Sequence, residues 1–319
     1  PAAAPAPRGH GGAAGGLCGR IRREMRRRGA YRRRQRRQSR LYRQRGPVGP
    51  LCPRLRTGPH RNQRCRLGET LCPAHVNVPG YIALVGEGRY ADAIKLIRKD
   101  NPFPTACALV CEHPCEKRCR RILIDAPLNI RGIKKMAVDQ VAADSVSAPG
   151  RLPDSGKRIA VVGGGPSGLT CAYYAALMGH SVTVFEANHL LGGMMRYGIP
   201  AYRFPRERLD EDIRAVLSVG NIEVKCDVRI DAVAMAKIND EFDAVYVAIG
   251  AQLGKTLKLE NGDAEGVVSA VDLLQKIGDG DSPDFSGKKV VVVGGGNVAM
   301  DCARTSVRTG ASEVTVAYR

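Results

Sequence analysis

The 319-residue chain has no run of 18 or more apolar residues, which excludes a hydrophobic membrane-spanning helix. It opens with no short apolar segment and small-residue cleavage site, so no secretory leader is expected. Its first 64 residues hold no lysine and a single acid, Glu24. It carries 11 cysteines, yet no two stand in a C-x-x-C pair. That absence argues against thioredoxin-like disulfide chemistry and against an ordinary zinc ribbon. What is present is ample core material, 44% hydrophobic residues, in a length that suggests about two domains. The expectation is a soluble, cytoplasmic protein.

The net charge of +19 is distributed unevenly. Residues 1–64 hold 19 arginines against one acid, a charge of +18, while the remainder holds 31 basic against 30 acidic residues. The globular part is therefore nearly neutral, which argues against a nucleic-acid partner for it. The basic tract lacks apolar periodicity and is not expected to pack. Three readings stay open: a disordered arm that neutralises phosphates, a transit peptide without an amphipathic face, or GC-rich DNA translated out of frame. The last accounts for arginine, glycine, proline and alanine without lysine.

Four cysteines recur every four residues in "ACALVCEHPCEKRCRR": Cys107, Cys111, Cys115 and Cys119. Pro114 argues against one unbroken helix and restrains His113 toward extended backbone. Loops can then converge thiolates on an iron–sulfur cluster or a zinc ion. The charged neighbours Glu112, Glu116, Lys117, Arg118, Arg120 and Arg121 exclude a merely apolar role. Cys72 adds a thiol at the lip of a helical region. There, Val78–Pro79 opens a helix with apolar residues at Ile82, Leu84, Val85, Ala93, Ile94 and Ile97. Cys171, Cys226 and Cys302 read as packing residues.

Two dinucleotide fingerprints follow. In "KRIAVVGGGPSGLTCAYYAALMGHSVTVFEA" a strand (159–162) precedes Gly163, Gly165 and Gly168. A helix follows to about Met178, Pro166 and Ser167 belong to the candidate cofactor-binding turn, and a second strand (182–185) ends in Glu186. The first glycine permits the turn, the second admits a pyrophosphate, and the third allows close helix–strand packing. The helix N-terminus offers N–H donors to phosphate, and Glu186 can accept from ribose hydroxyls. The second copy, "VVVVGGGNVAMD", has Gly294 and Gly296 but Ala299 at the third place. Aligning "VTVAYR" with "VTVFEA" puts Tyr318 where Glu186 stands, followed by Arg319. Without the carboxylate a 2′-phosphate is not repelled, and an arginine can pair with it. This reading assigns FAD or a similar ribose-bearing cofactor to the first turn and NADPH to the second. Between them, "FDAVYVAIGA" (242–251) reads as a buried strand, and Gly192–Gly193 can admit a second phosphate contact.

From Cys72 to Arg319 these motifs resemble the small (beta) subunit of NADPH-dependent glutamate synthase. The related proteins are the N-terminal half of dihydropyrimidine dehydrogenase and the large subunit of NADH-dependent ferredoxin:NADP oxidoreductase. The resemblance rests on "CPAHVNVPGYI", "VCEHPCEKRC", "VVGGGPSGL", "GGMMRYGIPAYRFP", "VAIGA" and "GGGNVAMDCART". It implies an α/β architecture: a helical 4Fe–4S domain (65–150), a Rossmann-like FAD domain (151–285) and an inserted, truncated NADPH domain (286–319). By resemblance, Cys72, Cys111 and Cys115 ligate one 4Fe–4S cluster and Cys119 a second. A further ligand of the first would fall near Lys134, and lysine is a poor iron ligand. Arg203 resembles a flavin-nucleotide contact, and Asn297 and Val298 lie in the NADPH turn.

Two departures bear on the expectation. The second cluster needs three more cysteines ahead of Cys72, where only Cys65 and the farther Cys52 stand. The NADPH and FAD domains also lack the parts that follow Arg319 in the family. A fragment with an out-of-frame start is therefore expected. The implied activity is electron transfer between NADPH and the clusters through FAD. The electrons would serve a partner such as the glutamate synthase large subunit or a ferredoxin. The rival readings are an inactive gene fragment, or a nucleic-acid-binding protein acting through its basic arm.

Overall fold

The computed structural model describes residues 72–254, 260–262 and 264–319, all within the unit Asn62–Arg319. The Arg-rich tract 1–64, with Cys52 and Cys65, lies outside the described residues.

The first described region is helical: α1 (Val78–Gly86), α2 (Tyr90–Arg98), α3 (Pro104–Val110), α4 (Pro114–Lys117) and α5 (Ile130–Gln140). Short 3-10 turns lie at Arg120–Leu123 and Ala143–Ser145. Asn77 caps α1 by accepting from the Gly80 N–H at 2.9 Å, and Asn129 caps α5 from Gly132 in the same way. The single helix expected from Val78 is two helices. Gly88, at φ +71°, reverses the chain between α1 and α2, a conformation glycine adopts without steric penalty. The two helices then fold onto one core of Tyr81, Val85, Ala93, Ile94, Ile97, Ala137 and Val138.

The second region is a parallel sheet of β1 (Arg158–Val162), β2 (Ser181–Phe185), β3 (Ile222–Lys225) and β4 (Ala244–Val247), in the order β3-β2-β1-β4. Helices α6 (Pro166–Leu177), α7 (Met194–Tyr197), α8 (Arg206–Leu217) and α9 (Ala232–Glu241) connect the strands. The third region holds α10 (Ala270–Gly278), β5 (Lys289–Val293), α11 (Asn297–Arg308) and β6 (Glu313–Ala317). Its two strands are parallel, paired from Lys289↔Glu313 to Val293↔Ala317. The expected strand–helix–strand order is thus present twice. No helix among the described residues is long and apolar enough to cross a membrane.

Burial separates the strands. Val161, Val182 and Val184 are buried in one core with Leu169, Ala172, Tyr173, Leu209 and Val216, and Ala160 and Val162 are buried as well. The strand expected to be buried at 242–251 is not: Tyr246, Val247 and Ile249 are exposed. In β5 the burial alternates, with Val290 and Val292 half-buried while Val291 and Val293 face out. The physical reason is position. β4 is an edge strand, and β5 has α11 packed over one face only.

The helical and sheet regions share buried polar contacts. The guanidinium of Arg98, 1% exposed, donates to the carbonyls of Val146 (2.9 Å) and Ala215 (2.5 Å). Asp212 on α8, fully buried, accepts the first N–H groups of α3 from Thr105 (3.2 Å) and Ala106 (2.8 Å). It thereby caps a helix of one region from another. Burial still pushes its carboxyl up to about 7, against the pull of those N–H groups.

Candidate cofactor sites

The first fingerprint turns sharply after β1. Gly163 sits at φ +111°, and a Cβ there would lie 2.4 Å from the Ala248 carbonyl oxygen. At Gly168 a Cβ would lie 1.9 Å from the Gly163 oxygen, so α6 approaches the turn more closely than any side chain allows. Gly165 is the N-cap of α6 and Pro166 its first residue. The N–H groups of Ser167 and Gly168 have no partner within the helix at this end, and no acid stands in its first turn. Gly192 donates to the Gly164 carbonyl at 2.9 Å, and a Cβ on Gly193 would lie 2.7 Å from the Gly165 Cα. The two predicted phosphate-facing glycine pairs are therefore pressed together, backbone on backbone. This cradle fits a pyrophosphate and leaves no room for a side chain.

Glu186 follows β2, 5% exposed. Its Oε2 accepts the Gly164 N–H at 2.6 Å, and its Oε1 accepts the Asn188 N–H (2.9 Å) and Nδ2 (2.8 Å). Oε1 is thus fully engaged, while Oε2 retains acceptor capacity for a ribose hydroxyl. Gly164, unremarked in the sequence, is thus the residue that fixes the acid.

The second turn repeats the plan with substitutions. Gly163 donates to the Phe185 carbonyl, and Gly294 donates to the Ala317 carbonyl, both at 2.8 Å. That shared bond sets the register, so Tyr318 occupies the place of Glu186. A Cβ on Gly164 would meet Glu186, and one on Gly295 would meet Tyr318. Gly294 takes φ +131°, Gly296 caps α11, and Ala299 is accommodated, lying 3.5 Å from a Cβ placed on Gly294. Tyr318, Arg319 and Val298 are all exposed.

Two further contacts join this turn to the rest. Asn297 Nδ2 donates to Glu112 Oε1 at 3.0 Å, placing the turn against the cysteine segment. Arg203 donates to Asp301 on α11 at 2.5 Å, and the Asp301 backbone carbonyl accepts from the Tyr202 hydroxyl. Arg304 and Arg308 stack on the Tyr202 ring, 5.1 and 4.0 Å from its centroid. Arg203 is therefore engaged with the second fingerprint helix. The buried acid Asp301 carried no sequence signal beyond its place in "AMDCART".

The cysteine segment breaks at Pro114, as its sequence requires. His113, however, is left-handed (φ 44°, ψ 53°), not extended. The right-handed helical region is avoided in either case. The left-handed turn brings the His113 N–H to 3.3 Å from Cys111 Sγ, and Nδ1 to 2.9 Å from the Glu112 carbonyl. Cys72 and Cys115 pack on the core that contains Tyr81. Burial above all suppresses the acidity of the Tyr81 hydroxyl, and Cys115, Cys72 and Cys111 lie near enough to act on it electrostatically in the same direction. Cys119 is half-buried. Burial raises the Cys115 thiol, and Lys134 pulls it down.

No three His, Cys, Asp or Glu among the described residues converge as a single ion requires. A 4Fe–4S cube holds its irons at separate corners, so its thiolates stand farther apart than the ligands of one ion. Cys72, Cys111 and Cys115 are free, and soft thiols of this kind are the donor chemistry such a cluster takes. Cys171 and Cys226 pack on the sheet core, and Cys302 is buried with its thiol raised to about 11. All eight described cysteines are free.

Residues 125–202 and 157–319 match the family model described as pyridine nucleotide-disulphide oxidoreductase. The chain belongs to that family. Residues 58–146 match a second model, dihydropyrimidine dehydrogenase domain II with a 4Fe-4S cluster. This match begins at residue 58, inside the Arg-rich tract. The class is that of NAD(P)H-dependent flavin and iron–sulfur oxidoreductases, with FAD, NADPH and a 4Fe–4S cluster as its cofactors.

Among curated proteins, the chain is 41% identical over 255 residues to NADPH-Fe(3+) oxidoreductase subunit beta of Geobacter sulfurreducens. It is 37% identical over 273 residues to NADP(+)-dependent formate dehydrogenase subunit beta of Moorella thermoacetica. To the glutamate synthase [NADPH] small chain of Escherichia coli it is 34% identical over 274 residues. These alignments take in 78%, 78% and 79% of this chain, and 38%, 38% and 56% of those proteins. The chain thus spans well under two thirds of the length of these relatives.

Proposed function

We propose that the chain is the nucleotide-binding and cluster-binding part of an electron-transfer subunit that passes electrons between NADPH and an iron–sulfur cluster. A partner subunit or ferredoxin-like protein lies at the far end, the glutamate synthase large subunit being one example of its kind. The observation that carries this reading is the difference between the two turns. They share one register bond, yet one presents Glu186 and the other Tyr318 at the same place. In the reading, Gly163, Gly165, Pro166, Ser167 and Gly168 hold the FAD pyrophosphate against Gly192 and Gly193. Glu186 binds its ribose. Gly294, Gly296, Asn297, Val298 and Ala299 hold NADPH, with Arg319 toward the 2′-phosphate and Arg203 tying the two turns together. Cys72, Cys111 and Cys115 ligate one 4Fe–4S cluster, and Cys119 serves another.

A flavin supplies the change from two-electron hydride chemistry to the one-electron steps that a cluster accepts. The residues contribute positioning. The glycine turns exclude side chains, the helix N-termini face the phosphates, and the helical region sets thiols beside the second turn through the Asn297–Glu112 contact. Thiols that ligate iron need a reducing compartment, in keeping with a cytoplasmic location. A disulfide-reductase reading would need a redox cysteine pair, and the sequence holds no C-x-x-C.

The test is anaerobic. The 319-residue chain is reconstituted with FAD, iron and sulfide, freed of excess cofactor, and titrated with NADPH. Bleaching of bound flavin at about one equivalent is expected. Flavin that stays bound and oxidised would contradict the reading.

A further inference from the structure

Lys134 lies on α5, 8% exposed, with Nζ 5.6 Å from the centroid of the Tyr81 ring. Tyr81 is itself fully buried, in the core on which Cys72 and Cys115 pack. Among the described residues no carboxylate stands within ion-pair distance of this ammonium. Its neighbour Lys135 pairs with Asp139, and Arg131 donates to the Cys111 carbonyl at 2.9 Å. Glu116 is engaged elsewhere, its Oε1 accepting the Arg131 N–H at 2.7 Å. What Lys134 meets instead is the cysteine segment, since the ring it covers belongs to the core on which Cys72 and Cys115 pack. A buried ammonium without an opposite charge costs several kcal/mol or gives up its proton. A ring face beneath it favours the charged form.

We propose that Lys134 is the counter-ion of the cluster bound by Cys72, Cys111 and Cys115. It is a positioning residue whose fixed charge favours the reduced cluster, and it is not an iron ligand. The proposal rests on the ligand reading above. Each thiolate ligand brings a negative charge, and reduction adds one more. A cation held in the low-dielectric interior therefore stabilises the reduced state more than the oxidised one. Ligation would instead require a neutral amine, turned away from the ring that now faces its charge.

The experiment is a dithionite redox titration of the reconstituted 319-residue chain, followed by electron paramagnetic resonance with iron content measured alongside. Lys134→Met keeps the volume and removes the charge, and Lys134→Arg keeps the charge. The unmodified chain and the arginine variant are expected to share one midpoint, with the methionine variant lower. A methionine variant that loses its iron while the arginine variant keeps it would also support the counter-ion. Equal midpoints in all three chains would overturn it. So would an arginine variant that falls, or loses iron, as far as the methionine one. A nitrogen coupling to the cluster in the unmodified chain would overturn it in favour of ligation. Cys111→Ser tests the ligand reading separately, because unchanged iron content and spectrum there would mean the cluster lies elsewhere.

Discussion

The two fingerprint turns follow one backbone plan and differ in what they tolerate. Gly163 and Gly294 both take positive φ and both donate to the last carbonyl of the following strand. At the third position the first turn is closed, since a Cβ on Gly168 would strike the Gly163 oxygen at 1.9 Å. The second turn carries Ala299 there. Where the first turn holds a buried carboxylate, the second shows an exposed tyrosine. On the proposed function, one motif sets the phosphate position, while the residue after the second strand and the helix–turn spacing select the nucleotide.

The largest expected effect comes from forcing the first turn toward the second. Gly168→Ala drives a methyl into backbone, at a cost of roughly 3 kcal/mol. Loss of bound flavin is expected on gel filtration, with retention ruling out the close approach described here. Glu186→Gln comes next. It weakens the bonds from Gly164 and Asn188, and about 1–3 kcal/mol of FAD affinity should go with them, as read from flavin fluorescence on release. Tyr318→Glu transplants the acid into the second turn. It should reduce NADPH binding relative to NADH by roughly tenfold, about 1.4 kcal/mol, whereas an unchanged ratio would detach Tyr318 from nucleotide choice. Ala299→Gly should do least, within about 1 kcal/mol of the unmodified stability by thermal melting.

The fold carries a pH dependence outside both turns. The Asp212 carboxyl is raised from 3.8 to about 7 by burial. A raised carboxyl binds its proton more tightly in the folded state. Its contribution to stability is therefore full below about pH 4 and is lost as the pH rises toward 7. Asp212→Asn, which cannot ionise, should remove that part of the slope. Denaturant melts at pH 4.5 and 7 would show it, and parallel slopes in both chains would contradict it.

Local pattern carried most of the two glycine turns and the elements that frame them. The strand expected at 159–162 runs from Arg158 to Val162, and the helix opened by Pro166 ends at Leu177. The equivalence of Tyr318 with Glu186 follows from sequence alignment and is repeated by the backbone bonds. What the sequence hid is long-range. Asp212 lies in the charged run "RERLDEDIR", yet it is fully buried because it caps a helix more than 100 residues earlier. Arg98 and Asp301 are buried for similar reasons, by partners that no spacing rule connects. The apolar run at 244–247 misled in the opposite sense. Valine and tyrosine mark a strand, but the neighbouring layers decide whether it is covered.

The central claim is that the two turns hold two different nucleotides at once. An equilibrium titration of the FAD-loaded chain with NADP⁺ tests it most directly, following bound flavin and bound NADP⁺ together. Saturation by one NADP⁺ with the flavin fully retained is the predicted result. Release of flavin in proportion to NADP⁺ bound would mean that both compete for a single turn, and would contradict the account.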